Sequence, residues 1–376
     1  MKAVENIKSP SSVNISIFIL LVTILWVPLL SMITGFGLSA GSTEKRMMAR
    51  VPSILKIKTE GFNSFTADME KYFNDNFGFR ETLISINSRI ALYLLNTMIN
   101  DNVIIGKDGF YYYRQTIDDY RNAVPFSPEA LAFLKNTLAR RQEWLAEKNI
   151  SYLYTIAPNK ATAYPDFLPS WINKKNNVNR YDQVAELFKD SKKSFFLDLR
   201  PVLTGRKSTR LLYHLTDTHW NDFGAFVAYS AIIRKVQTIY PNLPILSEND
   251  FVIEDIPFFL GDLTGMLGGF PKVTIQSLKP KKPFRATPSS TSSKRFGEVW
   301  VKEQNSPELP SVVIFGDSFA MTALKDYLSE SFRRTVVIRA DVGAFEPDLI
   351  IKEKPDLVIQ ETVERFLLLP FEGNSF

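Results

Sequence analysis

The stretch Ser311-Val-Val-Ile-Phe-Gly-Asp-Ser-Phe319 decides how this chain is read. Val312 to Phe315 are apolar, and Val and Ile favour a strand. Gly316 permits a sharp turn at its end. Phe319 to Phe332 reads as a helix. Ser318 is therefore expected at a strand end and a helix N-terminus. There a hydroxyl meets solvent, and free backbone N–H groups and the helix dipole favour a developing negative charge. A serine nucleophile needs both conditions, and it also needs a base to take its proton.

The chain has two histidines, His214 and His219, and the second lies in Thr216-Asp-Thr-His-Trp-Asn-Asp222. A carboxylate commonly holds a catalytic imidazole in the right tautomer. Asp217 and His219 are two apart, so an extended backbone puts both side chains on one face. The expected triad is Ser318 as nucleophile, His219 as base and Asp217 as orienting group. Each motif alone has a plainer reading: Gly-Asp-Ser as turn and helix cap, Asp-Thr-His as a structural polar turn. The two together are more telling than either.

Thr216-Asp-Thr-His-Trp-Asn221 and Gly316-Asp-Ser-Phe319, in that order, resemble the alginate O-acetyltransferase family, whose members are SGNH-hydrolase-like. Further similarity lies in Phe73-Asn-Asp-Asn-Phe-Gly-Phe-Arg80, Gly106-Lys-Asp-Gly-Phe110, Ala157-Pro-Asn-Lys160, Tyr164-Pro-Asp166, Gly261-Asp-Leu263 and Glu364-Arg365. By that resemblance Asp217, His219 and Ser318 fall on the family triad, with the Asp-His pair before the Ser. Triads are defined by geometry, so chain order does not count against it. The resemblance implies an acetyltransferase for an exported polysaccharide. It also implies a polytopic membrane-bound O-acyltransferase as acetyl donor, other polysaccharide export proteins as partners, and a domain in the periplasm or on the outer face of the inner (cytoplasmic) membrane.

The bulk numbers fit one sizeable domain and an anchor. Of 376 residues, 45% are hydrophobic and 23% charged, ordinary for a globular chain. The net charge of +5, from 45 basic and 40 acidic residues, is mild, and no nucleic-acid-binding motif accompanies it. With no cysteine and two histidines, thiol catalysis is excluded and few metal ligands remain; no cofactor is expected. After a tail over residues 1–12, residues 13–38 are almost wholly apolar, enough for a single-pass transmembrane helix, which tolerates Pro28. A cleaved signal peptide is the rival, with Leu38-Ser-Ala40 an imperfect cleavage site. Basic residues are denser beyond the helix than before it, a bias toward a cytoplasmic domain, opposite to what the resemblance implies.

Residues 39–59 read as a linker, and 60–376 as an SGNH-hydrolase-like domain. Arg80 to Met98 is an amphipathic helix with Leu83, Ile84, Ile86, Ile90, Leu94 and Leu95 on one stripe. Val103 to Tyr113 predicts a hairpin turning at Lys107-Asp-Gly109. From Ser127 helices and strands alternate, which predicts a three-layer α/β/α sandwich with a mostly parallel sheet. In such sheets sites collect at the carboxyl ends of strands, where Pro158-Asn-Lys160, Gly316-Asp-Ser318 and Gln360-Glu-Thr362 fall. Residues 241–310, rich in Pro, Gly and Ser with a basic run from Lys279 to Lys294, read as an insertion with flexible loops.

Acyl transfer forms a tetrahedral oxyanion that needs waiting donors. The Ser318 N–H is one candidate, and the Asn159 and Asn221 side chains are others. Arg365 is a substrate-binding candidate unless it pairs with Glu364 or another acid. Two other functions share these features: a polysaccharide acetylesterase with the same triad, and a non-catalytic assembly protein of an export complex. The residues after Arg365 are too few for a carbohydrate-binding domain, so the expected match is the shorter, anchored form of the family.

Overall fold

The computed structural model describes residues 12–34, 49–90, 100–189, 195–289, 299–339 and 345–368. Residues 35–48, Leu94, Leu95 and residues 290–294 of the basic run lie outside them. The chain divides into two compact units, Met1–Asn100 with Thr264–Phe270, and Asp101–Leu263 with Pro271–Phe376.

The first unit is helical: α1 (Ser12–Thr34), α2 (Lys56–Glu60), α3 (Phe62–Asn76) and α4 (Arg80–Ile90). Within α1, Ile15–Met32 has a mean hydropathy of 2.5, long and apolar enough to cross a membrane, as an anchor or a signal sequence does. The expected linker carries α2 at its end. Gly78 packs against α1 so closely that a Cβ there would lie 2.2 Å from the Pro28 carbonyl oxygen.

The second unit begins with a hairpin of β1 (Val103–Ile105) and β2 (Tyr111–Tyr113). It turns at Asp108 and Gly109, both with positive φ, and the Phe110 N–H donates to the Lys107 carbonyl. Then follow α5 (Ile117–Arg121), α6 (Pro128–Ala146), β3 (Ser151–Ala157), α7 (Lys160–Ala163), α8 (Arg180–Leu187), β4 (Phe196–Asp198), α9 (Arg200–Arg206) and α10 (Asp222–Val236). The chain continues through β5 (Phe251–Phe259), α11 (Asp262–Gly265), β6 (Val273–Pro280), β7 (Thr287–Pro288), β8 (Val299–Glu303) and β9 (Ser311–Gly316). It ends with α12 (Ala323–Ser329), β10 (Arg334–Arg339), α13 (Pro347–Glu353) and β11 (Leu357–Val363). Ser127 caps α6 by accepting from the Ala130 N–H, with Pro128 in the first turn.

The main sheet runs β4-β3-β11-β9-β10-β8-β7. Its first five strands are mutually parallel, while β8 and β7 add antiparallel at one edge. Strand alternation splits the core in two. Val312 and Ile314 of β9 and Ile359 of β11 point into one apolar cluster with α10 and α12. Val313, Phe315 and Val358 point into another with α6 and α13. Helices therefore cover both faces of a mostly parallel sheet, the three layers that the alternation predicts. Where composition suggests loops between 241 and 310, the described residues hold the β5–β6 hairpin and the two edge strands β7 and β8.

Candidate active site

Ser318, His219 and Asp217 come together at the carboxyl end of the sheet, beside the ends of β3, β9 and β11. Gly316 ends β9 with no left-handed φ. Its glycine serves close approach instead, since a Cβ there would lie 2.3 Å from the Ala320 Cβ and 3.1 Å from Glu361 Oε2. The helix expected from Phe319 starts later. Residues 318–322 form a turn in which Met321 N donates to the Asp317 carbonyl and Thr322 Oγ1 to the Phe319 carbonyl, and α12 begins only at Ala323. Ser318 thus sits in a turn, not on a helix N-terminus.

Asp317 is the turn's buried strut. Its Oδ1 accepts the Phe319 N–H at 2.9 Å and its Oδ2 the Val363 N–H at 2.5 Å, tying the serine turn to β11. Its own N–H donates to Glu361 Oε2. Burial raises the pKa of both carboxyls, and Asp317 pushes Glu361 further up.

The His loop joins α9 to α10. Extended backbone is not what pairs Asp217 with His219; the segment is a tight turn closed by a bridge between Tyr213 and Trp220. Asp217 Oδ1 accepts both the His219 N–H (2.9 Å) and Nδ1–H (2.7 Å), an Asx-type turn that fixes ring and carboxylate together. With Nδ1 donating there, Nε2 is the acceptor, and it lies 2.7 Å from Ser318 Oγ. Burial works against charge on Asp217, but the His219 bonds and the Asp262 N–H hold its carboxyl well below the usual carboxylate range. The two loops are also pinned to each other. Trp220 Nε1 donates to Thr322 Oγ1, and Phe319 packs on both His219 and Trp220.

Asp262 belongs to the same site, although the spacing of the triad gives no hint of it. It lies 45 positions beyond Asp217, in Gly261-Asp-Leu263, and its N–H donates to Asp217 Oδ2 at 2.8 Å. Its Oδ1 accepts from the Thr218 N–H and its Oδ2 from Thr218 Oγ1, with Oδ2 also 3.6 Å from His219 Nδ1. Burial and the neighbouring Asp217 charge raise its pKa. Asp217, His219 and Asp262 lie close enough to suggest a metal cluster. N–H and O–H donors already point at the oxygens of both carboxylates, so the arrangement suits hydrogen bonding rather than a cation.

The two asparagine candidates are engaged elsewhere. Asn221 caps α10, accepting from the Gly224 N–H and donating to the Leu211 carbonyl. Asn159 Nδ2 points at Asp119 Oδ2. Among the described residues neither amide makes a hydrogen bond to Ser318. The Ser318 backbone N–H donates to no protein group among them, which leaves it available to an oxyanion. The pairing of Arg365 with Glu364 is replaced as well. Glu364 is buried, its Oε2 accepting the Asn159 N–H and its Oε1 the Thr162 hydroxyl. The half-buried Arg365 guanidinium instead lies 5.4 Å from the centre of the Phe319 ring, the same ring that packs on His219.

A hydroxyl, an imidazole and a carboxylate in hydrogen-bonded series, at the carboxyl edge of a parallel α/β sheet, define an SGNH-like α/β protein. The model of the family described as "SGNH hydrolase-like domain, acetyltransferase AlgX" matches residues 103–353. The chain belongs to this family. Among curated proteins it is similar to the probable alginate O-acetylase AlgJ of Pseudomonas syringae pv. tomato, at 24% identity over 325 residues, 81% of this chain and 78% of the relative. Among solved structures it is similar to the O-acetyltransferase domain of Pseudomonas putida AlgJ, at 17% identity and a TM-score of 0.48, covering 73% of this chain and 94% of that one. It is also similar to Bacillus cereus PatB1, at 15% identity and a TM-score of 0.49, covering 71% and 97%.

Proposed function

We propose that this protein transfers acetyl groups to hydroxyls of an exported polysaccharide through an acetyl-serine intermediate. The observation that carries the reading is the unbroken series Asp217 Oδ1, His219 Nδ1, His219 Nε2, Ser318 Oγ, with both links at 2.7 Å. In the first half-reaction His219 Nε2 takes the Ser318 proton as Oγ attacks the donor's acetyl carbonyl. The oxyanion forms opposite the unengaged Ser318 N–H, and collapse expels the donor's leaving group, which takes the proton back from Nε2. In the second half a sugar hydroxyl gives its proton to Nε2 and attacks the acetyl carbon. Ser318 leaves and recovers its proton. Asp217, ionised and triply bonded, favours the imidazolium in both halves.

Arg365 is assigned to substrate, because its guanidinium borders the ring beside His219. The apolar helix α1 serves as a single-pass anchor that holds the domain on the outer face of the inner membrane. A polytopic membrane-bound O-acyltransferase supplies the acetyl group there, and other export proteins bring the polymer.

The test is acetylation of polymer by the full chain, supplied with an acetyl ester and deacetylated polysaccharide. Acetyl groups should appear on the polymer with the unmodified protein. Ser318→Ala should reduce transfer by about 10⁴-fold or more, the scale on which a nucleophile acts. Free acetate with no acetylated polymer would make the protein an esterase. Transfer unchanged in Ser318→Ala would remove the catalytic reading.

A further inference from the structure

Lys160 follows Asn159 at the end of β3 and opens α7. It is buried, 4% exposed, in a chain position where lysine is rarely found without a paired acid. Its partners are main-chain carbonyls. Nζ donates to the His214 oxygen at 2.9 Å, the Leu215 oxygen at 2.9 Å and the Asp217 oxygen at 2.7 Å. The Tyr112 ring lies 5.5 Å from it. Burial lowers its pKa, with the Asp217 and Asp262 charges opposing. The three carbonyls favour the ammonium form, since a neutral amine has two N–H groups and would turn its lone pair toward the third oxygen.

These three carbonyls belong to one short segment, residues 214–217, which leads directly into His219. Asp217 is therefore gripped twice: its carbonyl by Lys160 and its carboxylate by His219 and the Asp262 N–H. The Gly261 backbone packs against the same segment, so closely that a Cβ there would lie 2.0 Å from the Thr216 oxygen. We infer that Lys160 is a positioning residue for acyl transfer, its ammonium fastening the Asp217–His219 loop so that Nε2 stays within reach of Ser318 Oγ. The inference rests on the proposed triad. Loosening the loop by about 1 Å is enough to cost roughly 100-fold in rate.

The test compares Lys160→Met, which donates nothing, with Lys160→Gln, which keeps two N–H donors, in the full chain purified in detergent. p-Nitrophenyl acetate and an acceptor polysaccharide serve as substrates. Folding is followed by circular dichroism, and the proton between His219 Nδ1 and Asp217 by its low-field NMR resonance. The expected result is a graded fall in kcat, about 3- to 10-fold for Gln and about 10- to 100-fold for Met. KM for the ester should stay within about two-fold, and the low-field resonance should weaken or move in step. A folded variant with kcat within two-fold of the unmodified protein overturns the inference. So does a lost activity with an unmoved resonance. If neither variant folds, Lys160 is a folding element and the inference fails. Ser318→Ala in the same assay separates this from the underlying reading. An inactive Ser318→Ala beside normal Lys160 variants sinks only the role of Lys160, whereas an active Ser318→Ala sinks the triad.

Discussion

Two sets of buried carboxyls sit at the same edge of the sheet and carry opposite electrostatics. Asp217 is held ionised, while Glu364 is pushed up to about 7 and Asp119 to about 6. Burial raises all three. Donors decide the difference. Asp217 receives two N–H groups from His219 and one from Asp262. Glu364 receives one main-chain N–H, a hydroxyl and a longer contact from Asn179 Nδ2 at 3.5 Å, none of them from an imidazole, and Asp119 lies near enough to raise it further. Asp119 has the buried Arg180 ion pair at 3.0 Å, which offsets its burial only in part. A carboxylate that must stay charged beside an imidazole is thus built from converging N–H groups. The other pair behaves as a structural nest linking β3, α8 and β11.

The largest effect that sharpens this contrast should come from Asp217→Asn. The geometry is nearly preserved, but an amide can offer an N–H to His219 Nδ1 and reverse its tautomer. Transfer should fall by about 10⁴-fold in kcat with folding intact. A loss under tenfold would mean that the carboxylate does not orient the base. Asp262→Asn is the intermediate case, removing one charge that steadies Thr218 and the loop. It should cost about tenfold, roughly the worth of one charge-assisted hydrogen bond. An effect as large as that of Asp217→Asn would make Asp262 the principal orienting group.

Glu364→Gln should leave kcat within about three-fold and act on stability instead. With a folded pKa of about 7, above the ordinary 4.5, the folded state holds the proton more tightly than the unfolded chain. Its own contribution to stability is then full below about pH 4.5 and is lost as pH rises through 7, by up to about 3 kcal/mol. Glu364→Gln should flatten that decline and leave the variant more stable than the parent at pH 8. Thermal melts from pH 5 to 8 read it directly, and an unchanged slope would show that Glu364 is not the titrating group. The smallest effect belongs to Thr322→Val, which removes the acceptor of Trp220 Nε1. It should cost about 1 kcal/mol in denaturant unfolding.

The residues make the two halves of the site legible to different depths. Val312 to Phe315 and Asp217-Thr-His219 announce a strand-end serine and an acid–base pair because both signals are local. The hairpin at Asp108-Gly109 is legible for the same reason: its two left-handed residues are adjacent. The late start of α12 is hidden, because Thr322 and Trp220 hold the turn by a bond across 102 positions. The roles of Asp262 and Lys160 are hidden likewise. Gly261-Asp-Leu263 and Pro158-Asn-Lys160 stand out as motifs, but only the fold brings them against 214–218. The edge strand β7 has two residues, below what apolar alternation can signal, and β8 follows a run rich in Ser and Pro that reads as loop.

The central claim is that Ser318 itself carries the acetyl group, and intact-protein and peptide mass spectrometry after rapid quenching with an acetyl ester tests it most directly. One acetyl group is expected, on the peptide containing Ser318, that disappears when acceptor polysaccharide is added and never forms in Ser318→Ala or His219→Ala. Acetyl transfer that proceeds with Ser318 unlabelled throughout, or with the label on another residue, would contradict it.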